Sequence, residues 1–239
     1  MKKPLVLTLA NALVALSLGF GVAAGAQQAQ PSGNAAAGAK KAEMCNGCHS
    51  IPGYQASFPE VHKVPKIAGQ GSGYIASALT AYRKGDRKHP SMRAIAGSLS
   101  DQDIADLAAY FEQLGRGRGD DAATTRSADP AQAAQAGPSA QPPANVAKLL
   151  AQANCASCHG TNFSRPIDPS YPKLAGQHPD YLYVALKSYQ TDHNPVMGRN
   201  NAIMMGMARP FTHPEIKAIA TYLGSLEGEL KTVPQSRFR

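Results

Sequence analysis

The four cysteines of this 239-residue protein fall in two pentapeptides, Cys45-Asn46-Gly47-Cys48-His49 and Cys155-Ala156-Ser157-Cys158-His159. Two thiols three positions apart can each form a thioether to one vinyl group of a haem. The histidine that follows directly then lies under the iron. C-x-x-C-H is the attachment pattern of a c-type haem. The two copies therefore predict two covalently bound haem c groups, held by Cys45, Cys48, Cys155 and Cys158, with His49 and His159 as iron ligands. Three other chemistries use paired cysteines. Tetrahedral zinc would have to draw both pairs together across 110 residues and a low-complexity stretch. A thioredoxin-like pair needs a βαβ context, and no such pattern is present. Two disulfides would suit an exported protein but leave the repeated histidine without a role.

A second axial ligand should be a soft or basic group on the C-terminal side of each motif. Met92 and Met204 occupy aligned positions, each seven residues before an apolar residue (Leu99, Phe211) that stands just ahead of the last helix. A single methionine usually packs a core, but the repetition favours a ligand. Met205 and Met207 compete with Met204. His89 and His193 are alternatives that do not align with each other. Histidine–methionine ligation raises the reduction potential relative to bis-histidine ligation and leaves no open position for a substrate. That argues against a peroxidase or a ligand sensor. His62, His178 and His213 lack any motif context and are read as surface or capping residues. The cluster Arg83-Lys84-Gly85-Asp86-Arg87-Lys88 suits a solvated helix end, a haem-propionate contact or a docking patch.

The elements that must position these residues come as a repeat. Val64–Tyr82 aligns with Tyr171–Tyr189 without a gap, at nine identical positions of nineteen. Met92–Phe111 aligns with Met204–Leu223. The numbering offset is 107 in the first block and 112 in the second, so five extra residues enter the second copy around Asn194–Asn201. Apolar residues recur at helical spacing in both copies. The expected helices are Ala35–Cys45 and Asn145–Cys155, which deliver the cysteines, then Tyr74–Lys84 and Tyr181–Gln190. A last helix follows in each copy, opened by Ser100-Asp101-Gln102-Asp103 and by Thr212-His213-Pro214-Glu215, both resembling capping boxes. No alternating strand pattern appears, so the fold class is all-α.

Residues 115–144 are dominated by Ala, Gly, Pro, Gln and Ser and carry no apolar period. They predict a long flexible linker. The sequence opens with Lys2 and Lys3, an apolar run from Leu5 to Phe20, and Ala24-Gly25-Ala26, the pattern of a signal peptide over residues 1–26. The expected organisation is a leader (1–26), a first domain (27–114), the linker (115–144), a second domain (145–228) and a tail (229–239). Formal net charge is +8, falling to +6 without the leader (22 basic against 16 acidic residues). Haem propionates would reduce it further, so the charge is weak evidence about partners, and no nucleic-acid partner is expected.

The sequence resembles the dihaem class I cytochromes c, specifically the cytochrome c4 family. The order shared with that family is C-x-x-C-H, P-x-L-A-G-Q, an aromatic-bearing helix, Met, and L-S-x-x-D/E-I-A-x-L-A-x-Y. Here it is carried by Cys45–His49, Pro65–Gln70, Tyr74–Tyr82, Met92 and Leu99–Tyr110. The second set is Cys155–His159, Pro172–Gln177, Tyr181–Tyr189, Met204 and Phe211–Tyr222. The resemblance implies His49 and His159 as proximal ligands and Met92 and Met204 as distal ones. It implies that the Pro65 and Pro172 carbonyls orient the histidines, and that Arg83 and Arg87 lie near a propionate. No basic counterpart is expected in the second copy, where Gln190, Asp192 and His193 stand in that region. The connection between the copies is longer than the family's, which argues against close two-fold packing.

The implied function is a periplasmic one-electron carrier, soluble or associated with the inner membrane. Its donor would be a quinol-oxidising complex or a dehydrogenase and its acceptor a terminal oxidase. The alternative is an electron-transfer subunit of a periplasmic flavin- or quinoprotein dehydrogenase.

Overall fold

The computed structural model describes residues 31–116 and 141–235. The leader expected over 1–26 lies outside these, as does most of the linker expected over 115–144. The first copy runs α1 (Ala35–Lys41), α2 (Glu43–His49), β1 (Gln55–Ala56), β2 (His62–Lys63), α3 (Ser72–Lys84), β3 (Arg87–Lys88), α4 (Pro90–Gly97) and α5 (Asp101–Leu114). The second runs α6 (Ala144–Gln152), α7 (Cys155–His159), α8 (Pro179–Tyr189), β4 (Gly198–Arg199), α9 (Ala202–Ala208) and α10 (His213–Ser225). Helices carry the architecture, and the strands are two-residue pairs. Among the described residues no helix is long and apolar enough to cross a membrane.

Each copy closes its own core with its last helix. Ile104, Leu107, Ala108 and Phe111 of α5 are buried against Ile75 and Leu79 of α3. In the second copy Ile216, Ile219, Ala220 and Leu223 of α10 pack with Leu182 of α8 and with Val146 and Leu150 of α6. Both capping boxes form. Asp103 accepts from the Ser100 amide at 2.9 Å, and Glu215 from the Thr212 amide at 2.8 Å. These bonds satisfy amides that the first helical turn leaves free.

Two local features depart from the sequence reading. The first helix ends at Lys41 and a new one starts at Glu43, so the cysteine motif has a helix of its own. Each methionine also sits on a short helix that periodicity did not reveal. His89 caps α4 and accepts from the Met92 amide at 3.4 Å, while Asn201 caps α9 and accepts from the Met204 amide at 2.9 Å. Both caps lie three residues before the methionine, and a seven- or eight-residue helix is too short to show a period.

The copies pack face to face despite the long connection, which corrects the expectation raised by its length. The Gln70 side chain donates to the Lys173 carbonyl (3.0 Å) and accepts from the Lys173 amide (2.9 Å). Gln177 does the same to Lys66, at 2.8 and 2.9 Å. The Lys66 ammonium donates to the Gly176 carbonyl and the Lys173 ammonium to the Gly69 carbonyl. These are matching residues at an offset of 107, so the contact is an internal two-fold axis. Around it, β3 pairs antiparallel with β4, Arg87 opposite Arg199. Lys187 reaches Glu60 at 3.0 Å. A connection of about 30 residues costs little more closure entropy than a short one, because that cost grows only with the logarithm of length.

Where α1 crosses α5 the two backbones touch. A β-carbon built on Gly38 would lie 2.1 Å from the Asp106 carbonyl oxygen. Gly38→Val should therefore destabilise the first copy by about 1–3 kcal/mol or more, as overpacking does. A urea midpoint unchanged from the parent would contradict this contact.

Asp106, only 3% exposed, accepts from the Asn34 amide, Gln102 and Lys41 at 2.8–3.0 Å. These donors, the Asn34 amide first, hold its carboxyl below the usual range. Its folded pKa is lower than its unfolded one. The stability it contributes is thus complete above about pH 4 and is lost as pH falls through the folded value. Position 218, which matches Asp106 in the second copy, is alanine. Between pH 7 and pH 3 the first copy should lose hydrogen-exchange protection ahead of the second. Simultaneous loss would contradict that assignment.

Candidate haem site

Each C-x-x-C-H motif lies on a helix that ends at its histidine: α2 for Cys45, Cys48 and His49, α7 for Cys155, Cys158 and His159. The His49 Nδ1 lies 2.8 Å from the Pro65 carbonyl oxygen, and the His159 Nδ1 lies 3.0 Å from that of Pro172. A carbonyl only accepts, so Nδ1 carries the proton in both rings. Nε2 is left with its lone pair, the form that binds a metal. Burial pushes both imidazoles below their usual range and keeps them neutral. No disulfide joins the four cysteines. Burial pushes Cys45 up to about 11 and raises Cys155 as well. A dithiol redox pair needs the opposite shift.

A cavity of about 470 Å³ runs between the two copies. Cys45, Cys48, His49, Pro65 and Met92 line it from the first copy, and His159, Pro172 and Met204 from the second. The remaining wall is mostly apolar, including Ile75, Leu79, Leu107, Phe111, Leu182 and Leu223. Each aligned methionine thus reaches the same cavity as its histidine. Met205 and Met207 do not line it, and Met207 is exposed. His89 reaches the cavity, while His193 is exposed. Cys155 and Cys158 sit outside the cavity wall on α7, with Cys155 packed on the second core.

The basic residues sort differently from the expectation. Arg83 does not reach the cavity. It donates to the Leu99 carbonyl at 3.1 Å and pairs with Asp101, tying α3 to the start of α5. Arg87 does reach it, 9% exposed, with its guanidinium 4.6 Å from the Tyr82 ring centroid. It donates to the Tyr74 hydroxyl at 3.1 Å and the Tyr181 hydroxyl at 3.3 Å. The second copy also supplies an arginine. Arg199 lies against the Tyr181 and Tyr189 rings and donates to the Tyr181 hydroxyl at 3.2 Å. Tyr181 and Tyr189 match Tyr74 and Tyr82, and Arg199 matches Arg87 at the offset of 112. The five-residue insertion therefore precedes Arg199. At the offset of 107 the same region falls around Gln190, Asp192 and His193 instead, which is why it shows no basic counterpart. His62, expected on the surface, is buried beside Tyr181.

Two arginines thus meet in one cavity. Among the described residues no carboxylate pairs with either, and the Arg87 Nε is buried without a partner. Burial would raise the Tyr181 hydroxyl, yet the Arg199 and Arg87 charges draw it below its usual range, a sign of the positive field at this corner. A buried cation such as Arg87 is costly without a carboxylate beside it, so this corner suits an anion. A haem brings two carboxylates on a large apolar plane. Apolar walls, a presented imidazole, a thioether and an unneutralised arginine pair all fit that group.

The comparisons with known proteins agree. A family model described as "Cytochrome c" matches residues 35–115 and again 143–227. Cytochrome c4 of Azotobacter vinelandii is 32% identical over 90% of this chain and 99% of its own length. The thiosulfate dehydrogenase electron acceptor of Stutzerimonas stutzeri is 30% identical over 85% of this chain and 87% of its own. The crystal structure of reduced cytochrome c4 from Pseudomonas stutzeri superposes with a TM-score of 0.55 at 26% identity. It covers 82% of this chain and all of that one. With two such domains and two C-x-x-C-H motifs, the protein carries two covalently bound haem c groups. The protein belongs to the cytochrome c family, in its two-domain cytochrome c4 branch.

Proposed function

We infer that the protein is a periplasmic carrier that accepts and passes single electrons, without turning over a substrate. The observation that carries this reading is the repeated set around one cavity: a histidine oriented by a proline carbonyl, and a methionine on a capped helix. Each bound haem supplies a one-electron Fe(II)/Fe(III) couple. The protein's own residues do the rest. Cys45, Cys48, Cys155 and Cys158 anchor the groups. His49 and His159 present Nε2 as proximal ligands, held by Pro65 and Pro172 (a carbonyl on Nδ1 fixes the tautomer and raises ligand basicity). Met92 and Met204 are the distal ligands. A haem held by this histidine–methionine set would have no open position for a substrate. Arg87 and Arg199 neutralise propionates, and Tyr74, Tyr82, Tyr181 and Tyr189 hold the arginines.

The donor would be a quinol-oxidising complex or a periplasmic dehydrogenase, and the acceptor a terminal oxidase. The relative named a thiosulfate dehydrogenase electron acceptor favours a dehydrogenase as donor. It also supports the second reading, in which the protein serves as the electron-transfer subunit of such an enzyme. Purification at native levels separates the two, since a subunit travels with its catalytic partner and a free carrier does not.

The ligand assignment has a spectroscopic test. In the ferric protein, Met92→Ala and Met204→Ala should each remove about half of the methionine–iron charge-transfer absorbance, and the double variant all of it. A band that survives the double variant would overturn the assignment.

A further inference from the structure

The segments Pro65–Gln70 and Pro172–Gln177 do three jobs each. Each carries the carbonyl that holds its histidine, the glutamine that crosses to the other copy and the lysine that follows it there. Each also rests on its own last helix, through Gly69 amide to Phe111 carbonyl (2.8 Å) and Gly176 amide to Leu223 carbonyl (3.1 Å). To this point the two are equivalent.

Beyond α10 the second copy runs further than the described part of the first. The backbone runs on as Glu229, Leu230 and Lys231, past the last residue that matches the family model, and crosses onto the first copy. The Lys231 amide donates to the Ala68 carbonyl at 2.9 Å, an antiparallel bridge. Glu229 pairs with the Lys173 ammonium, which also donates to the Gly69 carbonyl at 2.9 Å. Leu230 is buried between these contacts. Gly69 has φ +85°, and a β-carbon there would lie 2.4 Å from the Glu229 carbonyl oxygen. The crossing therefore needs a glycine at that position for conformation and for space. Among the described residues, nothing equivalent crosses from the first copy onto Pro172–Gln177, and Lys66 pairs there with no carboxylate.

We propose that Glu229–Lys231 is a strap by which the second copy positions the proximal histidine of the first haem. The path is short: Lys231 and Glu229 fix Ala68 and Gly69, three and four residues from the Pro65 carbonyl that holds His49. Glu229 and Lys231 are positioning residues, and they touch no haem ligand. The inference rests on the haem reading above and adds an asymmetry to it. Through the strap the first haem depends on the end of the second copy, and among the described residues, which stop at 116 before the matching positions 117–119, no counterpart serves the second haem.

The consequence is electronic. A carbonyl on Nδ1 makes the imidazole a stronger donor and favours the ferric iron. Releasing the strap lets Pro65 move off His49, so the potential of the first haem should rise. Loosening the interface as a whole behaves differently, because the Gln70 and Gln177 exchange is reciprocal and its loss reaches both haems. The test uses the full-length protein with both haems attached, in two variants. Lys231→Pro removes the donor to Ala68, and Glu229→Gln removes the carboxylate charge that pairs with Lys173, at an exposed position that endangers folding less. Redox titration follows the potential of each haem by its own hyperfine-shifted NMR signals, and Gln70→Leu/Gln177→Leu serves as the symmetric control. The expected result is an upward shift at the first haem with the second unmoved in both strap variants, against movement at both haems in the control. A first haem that stays in place or falls, or equal movement at both haems, overturns the strap. A parent protein with fewer than two covalent haems would overturn the haem reading itself, and its mass reveals that before any titration.

Discussion

The structure depends most on the exchange of two glutamine side chains. Gln70 and Gln177 are 3% and 4% exposed, and each satisfies both the amide and the carbonyl of a lysine in the opposite copy. A side-chain amide has one acceptor and two donors, so it can pair with an extended backbone as a neighbouring strand would. Each such bond has a modest net value of about 1 kcal/mol. The penalty lies in breaking them, since a buried polar group left alone costs about 1–3 kcal/mol. The four bonds therefore specify one relative placement of the copies more than they add stability.

That placement decides the chemistry. The residues that exchange hydrogen bonds belong to the same segments whose proline carbonyls orient His49 and His159. Fixing the interface fixes both imidazoles. It also brings Arg87 and Arg199 together over one cavity, an arrangement that neither copy could create alone. The buried Arg87 and the partly buried Arg199, ringed by four tyrosines, form an electropositive corner suited to carboxylates. The two copies thus line one largely apolar cavity together and share its polar end.

Much of this was legible in the residues. The C-x-x-C-H motifs, the repeat, the later helices and the capping boxes each have a local physical cause and appear where it predicts, while the first helix of each copy breaks before its cysteines. Repetition singled out the two methionines that line the cavity, although not their short helices, because seven residues carry no period and His89 is an unusual cap. What the residues did not disclose is non-local. Arg199 was hidden by an insertion that changes the offset just before it. Arg83 looked like the partner of Arg87, but its helix turns it towards Asp101. The close packing of the copies rests on Gln70 and Gln177, polar residues inside a motif, with no periodicity to announce a buried role. Length of connection was a poor guide, because closure entropy changes slowly with length.

On the proposed assignment two haem sites, each with its own histidine and methionine, open into one cavity with a shared arginine pair. Anomalous diffraction at the iron edge, from crystals of the protein with its haems attached, decides this. Two irons are expected, one between His49 and Met92 and one between His159 and Met204, with propionates from both haems meeting Arg87 and Arg199. Irons bound by other side chains, or arginines turned to solvent with the two haems facing away from each other, would contradict it.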